Sequence, residues 1–315
     1  MFGHLLVPLD GSRLAETALP AAAELARRLR ASVTLLHVLE PDAPPTVHGD
    51  RHLRSPAEAE GYLAGAADWM AARQVSADVA LNQQQGDVAA TIARIGGAVG
   101  ADLIVLTTHG RSGVRGLLFG RVAQQVLQRG AIPVLLIQPS ASGRDAAFAF
   151  RRLLVPLDGS DTSERALPAA AALAAAYGAE LGLMRVVPTV DTVSGDQSAP
   201  ARLLPTTTAA MLEVEAAEAG SYLERIAGGM RQEGRVVATA VGRGDPVRVL
   251  ADAIRQRQVD LMVMATHGRS GVTAVWAGSV ASRLIGTGAT PVLLVRIPPH
   301  DEKTPDLLRP SAPPP

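Results

Sequence analysis

Two short patterns in this chain have residue types and spacing that could hold a ligand, and each is present twice. Asp10-Gly11-Ser12 and Asp158-Gly159-Ser160 both follow an apolar run, Leu5-Leu6-Val7-Pro8-Leu9 and Leu153-Leu154-Val155-Pro156-Leu157. A carboxylate there can accept hydrogen bonds from sugar hydroxyls or a base amine. The same three residues also make an ordinary Asx turn, and the residues alone leave both readings open. The second pattern is a glycine-rich loop. Thr107-Thr108-His109-Gly110 and Ala265-Thr266-His267-Gly268 each lead, after nine residues, to a glycine and a helix start, Gly120-Arg121 and Gly278-Ser279. Glycine lets backbone N–H groups approach an anion with no side chain between. A helix start adds free amides and a partial positive charge, and Ser279 adds a hydroxyl donor. Each hydrogen bond to a charged phosphate is worth about 1.5–3 kcal/mol. Several together, less the cost of immobilising the ligand, set an affinity of roughly micromolar order. His109 and His267 are residues of the type that acts as a base, but a histidine beside glycines also orients a loop. Arg111 and Arg269 can reach phosphates or lie solvated.

The elements that must position these residues also come in two sets. The first half reads as a strand from His4 to Leu9 and a helix from Ser12, its cap, to about Arg30. Pro20 inside that helix either kinks it or marks its first turns. A strand over 32–39, a four-proline loop over 41–56, a helix over 57–74 and a short strand over 77–81 follow. Asp87 then caps a helix to about Val99, and a strongly apolar strand covers 102–107. After the glycine-rich loop come a helix over 121–128 and a last strand over 133–137. The second half repeats the order. Its strands fall near 153–157, 180–187, 235–241, 261–265 and 291–295, and its helices near 162–177, 208–233, 246–258 and 279–285. About ten extra residues fall between Val186 and Gly242, in the loop 188–205 and the helix after it. Near-continuous apolar strands alternating with helices imply parallel sheets covered on both faces. Ligands of such sheets bind at strand-to-loop junctions.

Composition removes several classes of function. Lys+Arg and Asp+Glu are both 30, so the net charge is zero. There is no basic footprint for nucleic acid and none for an anionic membrane. Lys303 is the sole lysine, which excludes a P-loop and lysine Schiff-base chemistry. Cysteine is absent, so disulfides, thiol nucleophiles and thiolate metal sites are out. No signal-peptide pattern or membrane-length apolar run is present, and a cytoplasmic protein is expected.

The Pro-x-Asp-Gly-Ser opening, the Thr-His-Gly-Arg-Ser-Gly loop, the Gly-Ser pair nine residues on and the closing Pro-Val-Leu-Leu strand resemble the universal stress protein family. The resemblance covers both halves, as a tandem of two such domains. It implies an α/β fold of two doubly wound five-stranded parallel sheets, adenine-nucleotide alpha-hydrolase-like. These would pair through their last strands as an intrachain pseudo-dimer. The expected domains are 1–138 and 151–297, with a linker at 139–150 and a disordered proline-rich tail at 298–315. Some members of the family bind ATP and others do not. In the second half the resemblance implies a site of Asp158, Val186, Met264, Ala265, Gly268, Gly278, Ser279 and Val280. In the first half it implies Asp10, Val38, Leu106, Thr107, Gly110, Gly120 and Val122. Ala265 and Thr107 stand where the family pattern has a glycine. Arg121 replaces the phosphate-binding serine, a loss of about 1.5–3 kcal/mol unless the guanidinium compensates. The second half is therefore the expected ATP site, with Mg accompanying the nucleotide.

The expected function is a nucleotide-dependent stress-response or signalling module without fast catalysis. Its partners would be an adenine nucleotide and a protein of unstated identity; a homodimer of the two-domain chain stays open. Two rivals remain. One is slow ATP hydrolysis, since a bound triphosphate with a metal needs little else. The other is a nucleotide-independent interaction or scaffold protein. A nucleotidyl transferase or ATP pyrophosphatase would need a different loop after the first strand, where this chain has Asp-Gly-Ser-Arg and Asp-Gly-Ser-Asp.

Overall fold

The computed structural model describes residues 1–40, 43–83, 86–108, 120–139, 143–145, 147–193, 199, 203–267, 280–287 and 290–297. In the first half, strands β1 (His4–Pro8), β2 (Ser32–Val38), β5 (Ala77–Asn82), β6 (Leu103–Thr107) and β7 (Val134–Ile137) form one parallel sheet. In the second half, β8 (Arg152–Pro156), β9 (Glu180–Val187), β10 (Val237–Arg243), β11 (Leu261–His267) and β12 (Val292–Ile297) do the same. The two sheets join into one of ten strands, in the order β10-β9-β8-β11-β12-β7-β6-β1-β2-β5. The chain runs outward from β1 through β2 to β5, then crosses back to β6 and β7. The order reverses between β1 and β6, and an open α/β sheet takes its ligand at that switch point.

The junction is the single antiparallel pairing of the large sheet. β7 meets β12 with Val134 opposite Leu294, Leu135 opposite Leu293 and Leu136 opposite Val292. Leu135 and Leu293 occupy corresponding places in the two halves, so the pattern is self-complementary about that pair, as in a twofold interface. Side chains alternate across the sheet. Leu5 and Val7 enter one buried layer and Leu6 the other, and both layers run through both halves. Fold class and pseudo-dimer agree with the expectation.

Several boundaries differ from it. The helix expected from Ser12 to Arg30 is two: α1 (Arg13–Glu16) and α2 (Leu19–Leu29), with Pro20 in the first turn of α2. Proline is tolerated there because that turn's N–H has no helical partner. The second half splits alike, into α6 (Asp161–Glu164) and α7 (Leu167–Tyr177). Further helices are α3 (Pro56–Ala71), α4 (Val88–Ala98), α5 (Arg121–Arg129), α8 (Pro205–Gln232), α9 (Pro246–Gln256) and α10 (Val280–Thr287). The extra length of the second half lies in the helix: α8 has 28 residues where α3 has 16. The four-proline loop holds a hairpin that the sequence reading left out, β3 (Thr46–Val47) and β4 (Asp50–Arg51). Its connector is His48-Gly49, with φ of 52° and 86°. Two central residues at positive φ are what a tight hairpin requires.

The segment between β7 and β8 is anchored. Phe150 is buried and packs edge-on against Phe148 and Tyr177, with ring centroids 4.8 and 5.0 Å away. Arg144 donates to Glu16 at 2.6 Å, which ties that segment to α1. Asp87 accepts from the Ala90 N–H at 2.9 Å and caps α4 as expected. Asp87→Ala should cost about 0.5–2 kcal/mol, measurable as a lower urea midpoint at unchanged m-value. The tail 298–315 lies outside the described residues.

Candidate functional site

The Asp-Gly-Ser motif folds identically in both halves. The Ser12 hydroxyl donates to Asp10 Oδ1 at 2.6 Å and accepts from the Ala15 N–H at 3.1 Å; the Ser12 N–H also donates to Asp10 Oδ1, at 2.9 Å. In the second half Ser160 donates to Asp158 Oδ1 through its hydroxyl at 2.6 Å and its N–H at 2.9 Å, and accepts from the Ser163 N–H at 3.1 Å. The motif is thus an Asx turn and a helix cap at once, and each carboxylate keeps its other oxygen for something else. Gly11 and Gly159 have φ of +87° and +91°, the left-handed region that side chains avoid. A Cβ on Gly11 would lie 2.7 Å from Leu53 Cγ, and one on Gly159 would lie 3.0 Å from the tip of Arg185. Leu53 cannot yield as a long arginine does. Both alanine variants should lose about 1–2 kcal/mol from the backbone, and Gly11→Ala should lose measurably more, read as the larger fall in thermal midpoint.

At the first-half switch point the fold closes a cavity of about 200 Å³. Five residues that the family resemblance implied line it: Asp10 after β1, Val38 at the end of β2, Leu106 and Thr107 at the end of β6, and Val122 in the first turn of α5. Gly120, φ +87°, is the N-cap residue of α5 and is buried. With glycine there, no side chain caps α5, and its first turn carries no acidic residue. The Thr107 hydroxyl turns toward α1, donating to the Ala15 carbonyl at 3.3 Å with the Thr17 hydroxyl at 3.4 Å. Gly110 lies outside the described residues.

The structure adds wall residues that sequence spacing did not reveal. Val88 and Ile92 come from α4, and Val47, His48 and His52 from the hairpin and the residue after it. The Val47-His48-Gly49-Asp50 run was the available signal, a glycine-containing two-residue connector of hairpin type. Prolines on both sides hid it. His37, on β2, is buried, and its Nδ1 lies 2.7 Å from the Leu9 carbonyl. Burial pushes its imidazole below the ordinary histidine range, against the opposing effect of that hydrogen bond.

In the second half Asp158 is exposed. Burial pushes its carboxyl up, but hydrogen bonds from Ser160 and Ser163 outweigh this and hold it below the usual carboxylate range. Val186, Met264 and Val280 pack against one core layer and Ala265 against the other. Gly268, Gly278 and Ser279 lie outside the described residues, as do His109, Arg111 and Arg269. Among the described residues no group of three or more His, Asp or Glu side chains is placed to hold a metal ion. No helix among them is long and apolar enough to cross a membrane.

Fold and cavity define a class: a tandem doubly wound α/β protein with a crevice at the carboxyl ends of its first-half strands. The model of the universal stress protein family matches residues 1–138 and again 149–296. The chain belongs to that family. A universal stress protein of Mycolicibacterium smegmatis is 28% identical over 306 residues, covering 93% of this chain and 96% of its own length. The crystal structure of a universal stress protein from Archaeoglobus fulgidus superposes with a TM-score of 0.66 at 20% identity, covering 93% of this chain and 96% of that one. Another solved universal stress protein, matched over 44% of this chain at 24% identity and a TM-score of 0.35, is described in complex with cAMP.

Proposed function

We propose that this universal stress protein binds ATP at the switch point of each half, as a nucleotide-dependent stress-response or signalling module without fast catalysis. One observation carries the reading. Five residues that the family resemblance implied, scattered from Asp10 to Val122, line a single cavity, and a helix without a side-chain cap begins at its edge. Apolar walls from Leu36, Val38, Leu106 and Ile92 suit a flat heterocycle. The Asp10 carboxylate suits an amine or hydroxyl donor. The cavity is smaller than the roughly 300–1,000 Å³ that houses a whole drug-sized ligand, so it fits a base, with sugar and phosphates extending past it. The uncapped amides of α5 suit an anion there. Magnesium, where present, would be held mainly by the phosphates, as that ion commonly is.

The domain division adopted is 1–138 and 151–297, with 139–150 as linker and 298–315 as tail. Of the two sites, the second is proposed as the tighter, because Ser279 stands where the first half has Arg121. Partner choice follows nucleotide occupancy in this reading, and the chain works in the cytoplasm. The test is to purify the full chain, denature it, and count adenine nucleotide released, adding ATP and Mg if none is carried through. One or two nucleotides per chain support the reading. None, with no binding on addition, overturns it in favour of a nucleotide-independent interaction protein.

A further inference from the structure

The octapeptide opening each half is the same, yet its surroundings differ. Ser12 is fully buried, whereas Ser160 is exposed. What covers the first copy is the β3–β4 hairpin and the residues that follow it. The hairpin is fastened from outside: Arg13 donates to Asp50 through its N–H at 2.9 Å and its guanidinium at 3.0 Å, and Arg51 pairs with Glu58. One contact reaches inward. His48 Nε2 lies 3.5 Å from Asp10 Oδ2, and both residues line the cavity. Asp158, the matching carboxylate, has no ion-pair partner among the described residues.

We infer that His48 is a pH-dependent latch on the first-half site: its protonated imidazole and a ligand's hydrogen-bond donor compete for the same oxygen of Asp10. The inference rests on the reading that this cavity takes an adenine nucleotide. Asp10 Oδ1 is already engaged by Ser12, so Oδ2 is the oxygen a ligand must use. Histidine is the side chain whose ordinary charge change falls between pH 5 and 8. When charged, His48 pairs with Oδ2 and holds the hairpin down; when neutral, it releases that oxygen at little cost. Among the described residues, the charged and titratable groups facing it are Asp10 from the β1–α1 turn, Glu40 beyond β2, and Asp50 and His52 from its own hairpin segment, and the residues of α4 and α5 that reach the cavity are Val88, Ile92, Val122 and Ala123. Asp50 is committed to Arg13, whose N–H and guanidinium keep it ionised below the usual carboxylate range. His52 lies with its Nδ1 3.2 Å from the Pro44 carbonyl. His37 is buried, and burial holds it toward the neutral form.

The experiment is an ATP titration of the full chain and of His48→Gln, followed through the backbone amide resonances of Val38, Leu106 and Thr107. These report the first half regardless of what binds in the second. Both side chains of the pair are partly exposed, 27% and 35%. The expected effect is therefore modest, about a two- to five-fold weaker affinity at about pH 5.5 than at about pH 7.5. In His48→Gln this pH dependence should be lost, apart from the ligand's own ionisation, which both proteins share. First-half amides that respond to ATP with the same pH dependence in both proteins would overturn the latch while leaving the nucleotide site standing. First-half amides that respond in neither protein at either pH would overturn the site and the latch with it.

Discussion

Leu135→Ala should lower the stability of the entire chain by about 2–5 kcal/mol, and Leu293→Ala by a similar amount. Both side chains are buried, at 1% and 0% exposure, and they stand opposite each other where β7 meets β12. Truncating either opens a hole in the layer that runs through both halves. Since the two side chains face the same space, the double variant should lose less than the sum of the single losses. Urea unfolding followed by circular dichroism reads the outcome. One cooperative transition shifted by either variant means the halves unfold as a unit. Two transitions, with only the altered half shifted, would mean that the ten-stranded sheet adds little coupling between them. The shared sheet, the buried Phe150 and the Arg144–Glu16 pair all favour the first result.

The second large effect concerns the ligand. Val122 lines the first-half cavity from the first turn of α5 but is 36% exposed. An indole there has room to lean into the cavity without displacing the core. Val122→Trp should abolish first-half binding and lower the nucleotide count by one per chain if both halves are loaded. The fold should be little affected, because the Val122 side chain is exposed and makes no cap, and such surface substitutions usually change stability by no more than about 0.5 kcal/mol. Mass spectrometry of the native protein counts the nucleotides, and the urea midpoint checks the fold. Unchanged occupancy with an intact fold would place the ligand elsewhere.

Most of the architecture was legible because it is written in local patterns. The apolar run Leu103-Ile104-Val105-Leu106 is a buried strand in any context that covers both its faces. Ser12, Asp87 and Ser160 cap helices through hydrogen bonds that span three residues. The exact repetition of Leu-Leu-Val-Pro-Leu-Asp-Gly-Ser required two copies of one unit, and the closing strands suggested how they would join. Where local signals compete, they do not fix the outcome. Pro20 was compatible with a kinked helix or with the first turn of a new one, and the chain starts a new helix there, as it does at the corresponding Pro168 of the second half. In the loop after β2 the prolines outweighed a two-residue hairpin connector.

The sequence by itself determined the two-copy plan and the parallel sheets, because each depends on residue type and short-range spacing; the positions expected at the switch point came from the family resemblance those motifs carry. Only the tertiary structure decided that two identical turns would have different fates. Asp10 is covered by a hairpin and faces a histidine 38 positions away, while Asp158 lies open. That difference arises from how the loop after β2 packs back over the turn after β1, through long-range contacts such as Arg13 with Asp50. No local motif encodes which carboxylate such a loop will meet.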